Sequence, residues 1–172
     1  MSKALSPLRG IVRIDNNEKR GNTMGYIEDL RRIIGHRRVI LNGCCAVLVN
    51  EQGALLMQQR NEPARRWGLP GGLMELGEST RETVVREVAE ESGLRLDPAQ
   101  LTLLNVYSGE GTSVAENGDQ FDIVNTAYYA EHVNDGESLQ YRWVPFSQLP
   151  ENVPQTHRHA ITDYLALRHA NS

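Results

Sequence analysis

"WGLPGGLMELGESTRETVVREVAEESGL", Trp67 to Leu94, places six glutamates and only two arginines in the seventeen residues from Glu75 to Glu91. Ser79-Thr80-Arg81-Glu82 is a capping box, in which a hydroxyl and a carboxylate each satisfy an exposed backbone N–H, and it predicts a helix starting near Thr80. Gly93 predicts the end of that helix near Ser92. At about 100° per residue, Val84, Val85, Val88 and Ala89 are expected as the buried stripe. Glu87, Glu90 and Glu91 gather beside it, with Glu91 almost in line with Val84. A carboxylate at the edge of a core loses hydration and needs a paired cation or several hydrogen bonds.

The plain reading of such a run is a solvated acidic face, the commonest explanation of clustered charge. The spacing works against it. Glu87 lies three residues from Glu90 and four from Glu91, and like charges at those separations cost a helix roughly 0.2 to 0.5 kcal/mol each. Arg86 can relieve part of this through Glu82 or Glu90, each one turn away, but one guanidinium does not neutralise the set. Clustered carboxylates without His or Cys suit a hard divalent ion, Mg²⁺ or Mn²⁺, in preference to Zn²⁺. The preceding "LPGG", Leu69 to Gly72, ends an extended segment. Its two glycines allow the backbone to turn tightly against an ion or ligand.

Outward from this stretch, strand-like and helical segments alternate without internal repeats. "GYIEDLRRIIG" has Ile27, Leu30, Ile33 and Ile34 at helical spacing and ends on Gly35. "RVILNGCCAVLV" and "ALLMQQR" read as strands joined by a turn at Asn50 to Gly53. Further strands are expected over Leu101 to Ser108, Phe121 to Glu131 and Ser138 to Pro145, and a closing helix from about Thr156. This order predicts a layered α/β domain over residues 24–172. The polar, Gly- and Asn-containing lead-in at residues 1–23 is expected to be flexible, although "GIVRI" could form a strand.

The 172 residues, 40% of them hydrophobic, suffice for one domain with a core and not for two comfortable ones. No apolar run reaches the roughly 20 residues of a membrane helix, and the N-terminus lacks the apolar centre of a secretory signal. A cytoplasmic protein with no membrane partner is expected. Cys44 and Cys45 are adjacent in a strand-like run and should face opposite sides as packing residues, which excludes a disulfide framework or zinc site. A net charge of −4 argues against a stable nucleic-acid partner.

Gly72, five residues, Glu78, seven residues, then Arg86-Glu87-Val88-Ala89-Glu90-Glu91-Ser92-Gly93-Leu94 resembles the complete signature of the Nudix hydrolases, with no position departing from it. With ordinary residue frequencies such a match arises by chance on the order of once in a million chains of this length. The looser resemblance, including Trp67 and "LPGG", covers most of Arg37 to Leu167. It implies a Nudix-type α/β/α sandwich with a mixed sheet, and a Mg²⁺-dependent hydrolase, with Mn²⁺ as an alternative ion, that cuts a diphosphate linked to another moiety. Carried over by position, Glu87, Glu90, Glu91 and the Gly72 carbonyl would hold the metal. Arg86 would orient the carboxylates and Glu78 would pair with Arg86. The general base would be Glu90 or Glu91, or Glu137 in "NDGES" by analogy with members whose base precedes a late strand; the plain reading of Glu137 is a solvated turn residue. Dimers are frequent in the family, which leaves a homodimer open.

Other residues carry weaker signals. Asn117-Gly118-Asp119 reads as a hairpin turn first and Asp119 as a ligand contact second. Arg60 ends a strand leading towards the site, where it would meet a phosphate or simply solvent. His157 and His159 read as surface histidines on a helix, and Tyr107 and Phe121 as core aromatics before they read as base-stacking groups. No proline lies between Ala99 and Val144, where the ADP-ribose group of the family usually has one. The favoured substrate is therefore a nucleoside triphosphate or related small nucleotide. An ADP-ribose or nucleotide-sugar pyrophosphatase and a catalytically inactive ligand sensor are the alternatives, and the full set of box carboxylates argues against the sensor.

Overall fold

The computed structural model describes residues 25–60, 65–115, 117–133 and 141–170. Within these, helix α1 (Tyr26–Ile34) precedes strands β1 (Val39–Asn50), β2 (Ala54–Gln59), β3 (Trp67–Gly68) and β4 (Gly71–Leu73). Helix α2 (Thr80–Ser92) follows, then β5 (Thr102–Tyr107), β6 (Ser113–Val114), β7 (Gln120–Val133), β8 (Tyr141–Pro145) and α3 (Gln155–Ala170). The lead-in at 1–23, with its "GIVRI" segment, and residues 138–140 of the expected last strand lie outside the described residues.

The strands form one mixed sheet in the order β3-β2-β1-β7-β5, with β4 on β1, β6 on β7 and β8 on β2. β1 runs parallel to β7 from Val39↔Phe121 to Asn50↔Val133, and the other pairings are antiparallel. β4 pairs with β1 at Gly43–Cys45, and β2 takes over at Val49↔Leu55. Between these two registers the Ala46 N–H donates to the Pro70 carbonyl, so the segment entering β4 lies along β1 where its partner changes.

Both faces of the sheet are covered, so β1 reads as an apolar run with an internal alternation. Cys44, Ala46 and Leu48 pack with Val84, Val88, Leu56 and Tyr141 under α2. Cys45, Val47 and Val49 pack with Ala160, Ile161 and Tyr164 under α3. The two cysteines thus face opposite sides, as their adjacency predicts. Burial pushes the Cys44 thiol up to about 11 and the Cys45 thiol to about 12, so neither is a nucleophile near neutral pH.

The helix α2 has the predicted span, but its buried line is Thr83, Val84, Val88 and Ser92, and Ala89 is exposed. The expected stripe is rotated because the two hydroxyls carry their own partners inward. Thr83 Oγ1 donates to Glu78 Oε2 at 3.0 Å, and Ser92 Oγ donates to the Val88 carbonyl at 2.6 Å. A satisfied hydroxyl can be buried at little cost, whereas Ala89 offers only a methyl group to the core. Among the described residues, no helix is long and apolar enough to cross a membrane.

Candidate active site

The capping box forms as the sequence predicts. Ser79 N–H donates to Glu82 Oε2 at 2.7 Å and Glu82 N–H to Ser79 Oγ at 3.3 Å. Glu82 is thereby committed to the helix start, and Arg86 turns elsewhere. Its Nε donates to Glu78 Oε1 at 2.6 Å, its Nη2 to Glu78 Oε2 and the Leu73 carbonyl at 3.1 Å each, and its Nη1 to Glu87 Oε1 and Glu90 Oε2 at 3.0 Å each. One guanidinium ties three carboxylates to the loop. Glu78, which also accepts from Thr83 Oγ1 and the Glu75 N–H, is held below the usual carboxylate range, chiefly by Arg86.

The loop is held from both sides. Met74 N–H donates to the Asn42 carbonyl at 3.1 Å and Ala46 N–H to the Pro70 carbonyl at 3.0 Å, which fastens Pro70 to Met74 along β1. Gly71 has φ 147° and a Cβ there would strike the Cys44 carbonyl. A Cβ on Gly72 would collide with the Glu87 carboxylate. The two glycines are therefore required for different reasons, one by the backbone of β1 and the other by an acid side chain.

From the far face, buried His157 of α3 accepts the Leu69 N–H on Nδ1 at 3.1 Å. This corrects the surface reading of His157. Two residues apart on a helix, His157 and His159 point differently: His159 is half exposed and pairs with Glu110 at 2.9 Å. Burial, with the charges of Arg60 and Arg66, lowers the His157 pKa to about 3, so its ring is neutral and free to accept.

Glu87 differs from Glu78. Both side chains are little exposed, 11% for Glu78 and 16% for Glu87, but in Glu87 burial outweighs Arg86 and pushes the carboxyl above the usual range, with the charges of Glu91 and Glu90 adding to it. Glu91 takes a different partner and accepts the hydroxyl proton of Tyr141 on β8. Tyr141 is 5% exposed, and burial together with Glu91 raises its pKa, so it remains a neutral donor.

The structure thus brings Gly72, Arg86, Glu87 and Glu90 together with Glu78, and sets Glu91 beside them on a separate partner. Glu137 lies outside the described residues. Asp119 is at another corner, held by His36 at 2.8 Å and Arg31 at 3.3 Å. Tyr107 is core, with its hydroxyl on Asp163 at 2.7 Å, and Phe121 is half buried. Arg60 is exposed, with its charge felt by both Tyr141 and His157. Tyr141 and His157 are the contacts that the sequence does not reveal, since their partners lie 50 and 88 residues away. A cavity of about 380 Å³ lies elsewhere, between the Asn50–Gly53 turn and α3, and contains none of the α2 acids.

Among the described residues no three His, Cys, Asp or Glu side chains already converge as a metal cluster. In this arrangement Arg86 holds Glu87 and Glu90, and Tyr141 holds Glu91. The donor set still fits a hard divalent cation. It is all oxygen, it carries more negative charge than Arg86 offsets, and Glu87, only 16% exposed, lies against a glycine backbone.

A family model described as "NUDIX domain" matches residues 41–164. The chain belongs to the Nudix family. Its members are pyrophosphohydrolases of nucleotide-linked compounds. The chain is 31% identical over 110 residues to an uncharacterized Nudix hydrolase of Bacillus subtilis, covering 63% of this chain and 67% of the relative. It is 40% identical over 111 residues to a mouse 8-oxo-dGDP phosphatase, covering 61% of this chain but only 32% of that protein. A MutT NUDIX hydrolase from Burkholderia pseudomallei superposes with a TM-score of 0.58 at 30% identity, over 73% of this chain and 98% of that one. The Nudix α/β/α sandwich is the architecture described above.

Proposed function

We propose that this Nudix protein is a Mg²⁺-dependent pyrophosphohydrolase that cleaves the diphosphate of a nucleoside triphosphate or related small nucleotide. The observation that carries the reading is Glu87, a poorly hydrated acid against the Gly72 backbone, sharing one arginine with two other carboxylates. Glu87, Glu90, Glu91 and the Gly72 carbonyl would hold the ion. Bound Mg²⁺ would neutralise the diphosphate and lower the pKa of a bound water. Arg86 has its paired contact with Glu78 and the Leu73 carbonyl, which would keep the loop fixed over the helix if Glu87 and Glu90 were given over to the ion. The proton of the attacking water would pass to a carboxylate of α2 or to Glu137.

The relatives differ in substrate. One is named an 8-oxo-dGDP phosphatase, and another, 38% identical over 78 residues, an ADP-ribose pyrophosphatase of Methanocaldococcus jannaschii. The experiment is an incubation with Mg²⁺ and nucleoside triphosphates, 8-oxo-dGDP, ADP-ribose and nucleotide sugars. Pyrophosphate release from a triphosphate is the expected result. Phosphate released directly from 8-oxo-dGDP would move the substrate to a diphosphate. Phosphate seen only after alkaline phosphatase treatment of ADP-ribose or a nucleotide sugar would move it to a bridged diphosphate. No hydrolysis of any of them, with Mg²⁺ bound, would favour a ligand-sensing domain.

A further inference from the structure

Arg86 serves Glu78, Glu87 and Glu90, and Glu91 is met instead by the buried phenol of Tyr141 on β8, 50 residues away in the chain. The geometry points to Tyr141 as the positioning residue that presets Glu91 as a ligand of the divalent ion, an inference that rests on the metal-dependent reading above.

Tyr141 is fixed before any ligand arrives. Its strand pairs with β2 in the register Gln58↔Tyr141, and its ring packs in the core with Leu56 and Val88. The hydroxyl has one proton to give. Glu91 Oε2 is its near acceptor, while Gln58 Oε1 is 3.4 Å away. A single hydrogen bond to Oε2 orients the carboxylate and leaves Oε1 with its lone pairs available.

The two kinds of partner act differently on an incoming cation. Arg86 is positive and competes with the ion for Glu87 and Glu90. Tyr141 is neutral and can stay in place while the ion binds, as an outer partner that holds a ligand in its working orientation. Glu91 also lies in line with Val84, where a charge without a partner is disfavoured, and the phenol supplies the partner that this position demands. Tyr141 touches neither substrate nor reacting atoms in this assignment, and its effect passes through Glu91.

The test is a titration of the full chain with Mn²⁺, followed by the electron paramagnetic resonance signal of the free ion. Tyr141→Phe keeps the ring in the core and removes the donor, and Tyr141→Leu removes the same donor with different packing. Both are expected to weaken Mn²⁺ binding roughly 10-fold, with the near-UV circular dichroism of the wild type retained. In a Glu91→Gln background, Tyr141→Phe is expected to change the affinity less than about 2-fold, because the coupled carboxylate is gone. Unchanged affinity in Tyr141→Phe overturns the inference. So does an equal loss in both backgrounds, which would trace the effect to packing. A wild-type chain that binds no Mn²⁺ overturns the metal-dependent reading itself, and the assignment of Tyr141 falls with it.

Discussion

Helices α2 and α3 reach the same loop from opposite faces of the sheet, and each sets a poorly hydrated ionisable side chain against it. Glu87 of α2 presses on Gly72, and His157 of α3 accepts the Leu69 N–H. The two groups lose water alike and differ in what replaces it. His157 is neutral, and its acceptor nitrogen meets one backbone donor. Glu87 competes with Glu78 and Glu90 for one guanidinium, and the nearby acids raise its pKa further. A buried polar group that is satisfied belongs to the scaffold, whereas a buried acid with surplus negative charge around it has room for a cation.

Glu87→Gln attacks one side of this comparison and should have the largest effect. Turnover with Mg²⁺ is expected to fall by about 10² to 10³-fold. The folded state raises the Glu87 pKa, so its ionised form is disfavoured there. The metal-free variant should consequently melt no lower than the wild type. Turnover within a factor of ten of wild type would break the assignment of Glu87 to the metal site.

Substitution at His157 should touch stability and leave the ion alone. Its pKa is about 3 in the folded state against an ordinary 6.5. The unfolded chain therefore takes up the proton first as pH falls. This contribution is complete above the unfolded value and is lost progressively between 6.5 and 3. At pH 4.5 the loss is about 3 kcal/mol. His157→Asn, which keeps an acceptor without the titration, should flatten the difference between urea melts at pH 7 and pH 4.5 by that amount. An identical pH dependence in the variant would show that His157 carries none of it.

Arg86→Gln joins the two themes, because Arg86 is both counter-ion and brace. It leaves three carboxylates without their shared cation and should cost about 2 to 3 kcal/mol in urea unfolding, less than for a fully buried network because the site is partly hydrated. Added Mg²⁺ should recover part of that loss if the carboxylates take up the ion. A variant as stable as wild type, with or without Mg²⁺, would remove Arg86 from this account.

Gly72→Ala is the mildest and most selective probe. The new methyl group meets the end of a flexible acid and not a backbone, so stability should change by less than about 1 kcal/mol. Displacing Glu87 should nevertheless reduce turnover about 10-fold. The neighbouring Gly71→Ala meets the Cys44 carbonyl at φ 147° and should unfold the loop outright. Equal effects at the two glycines would show that the loop acts only as a turn.

The local features were legible in the sequence. The capping box, the Thr80–Ser92 span, the opposed faces of Cys44 and Cys45 and the turn at Asn50–Gly53 all rest on bonds or alternations within a few residues. The spacing of Glu87, Glu90 and Glu91 likewise announces surplus charge on one helix, whatever the rest of the fold does. The tertiary structure decided the rest. It buried Thr83 in place of Ala89 because Glu78 and the Ser79 carbonyl were there to satisfy a hydroxyl. It drew His157 under the loop, gave Arg86 to Glu78 and not to Glu82, and set Tyr141 on Glu91. Each of these choices depends on which group lies within hydrogen-bond reach and which is cut off from water, and neither follows from order along the chain.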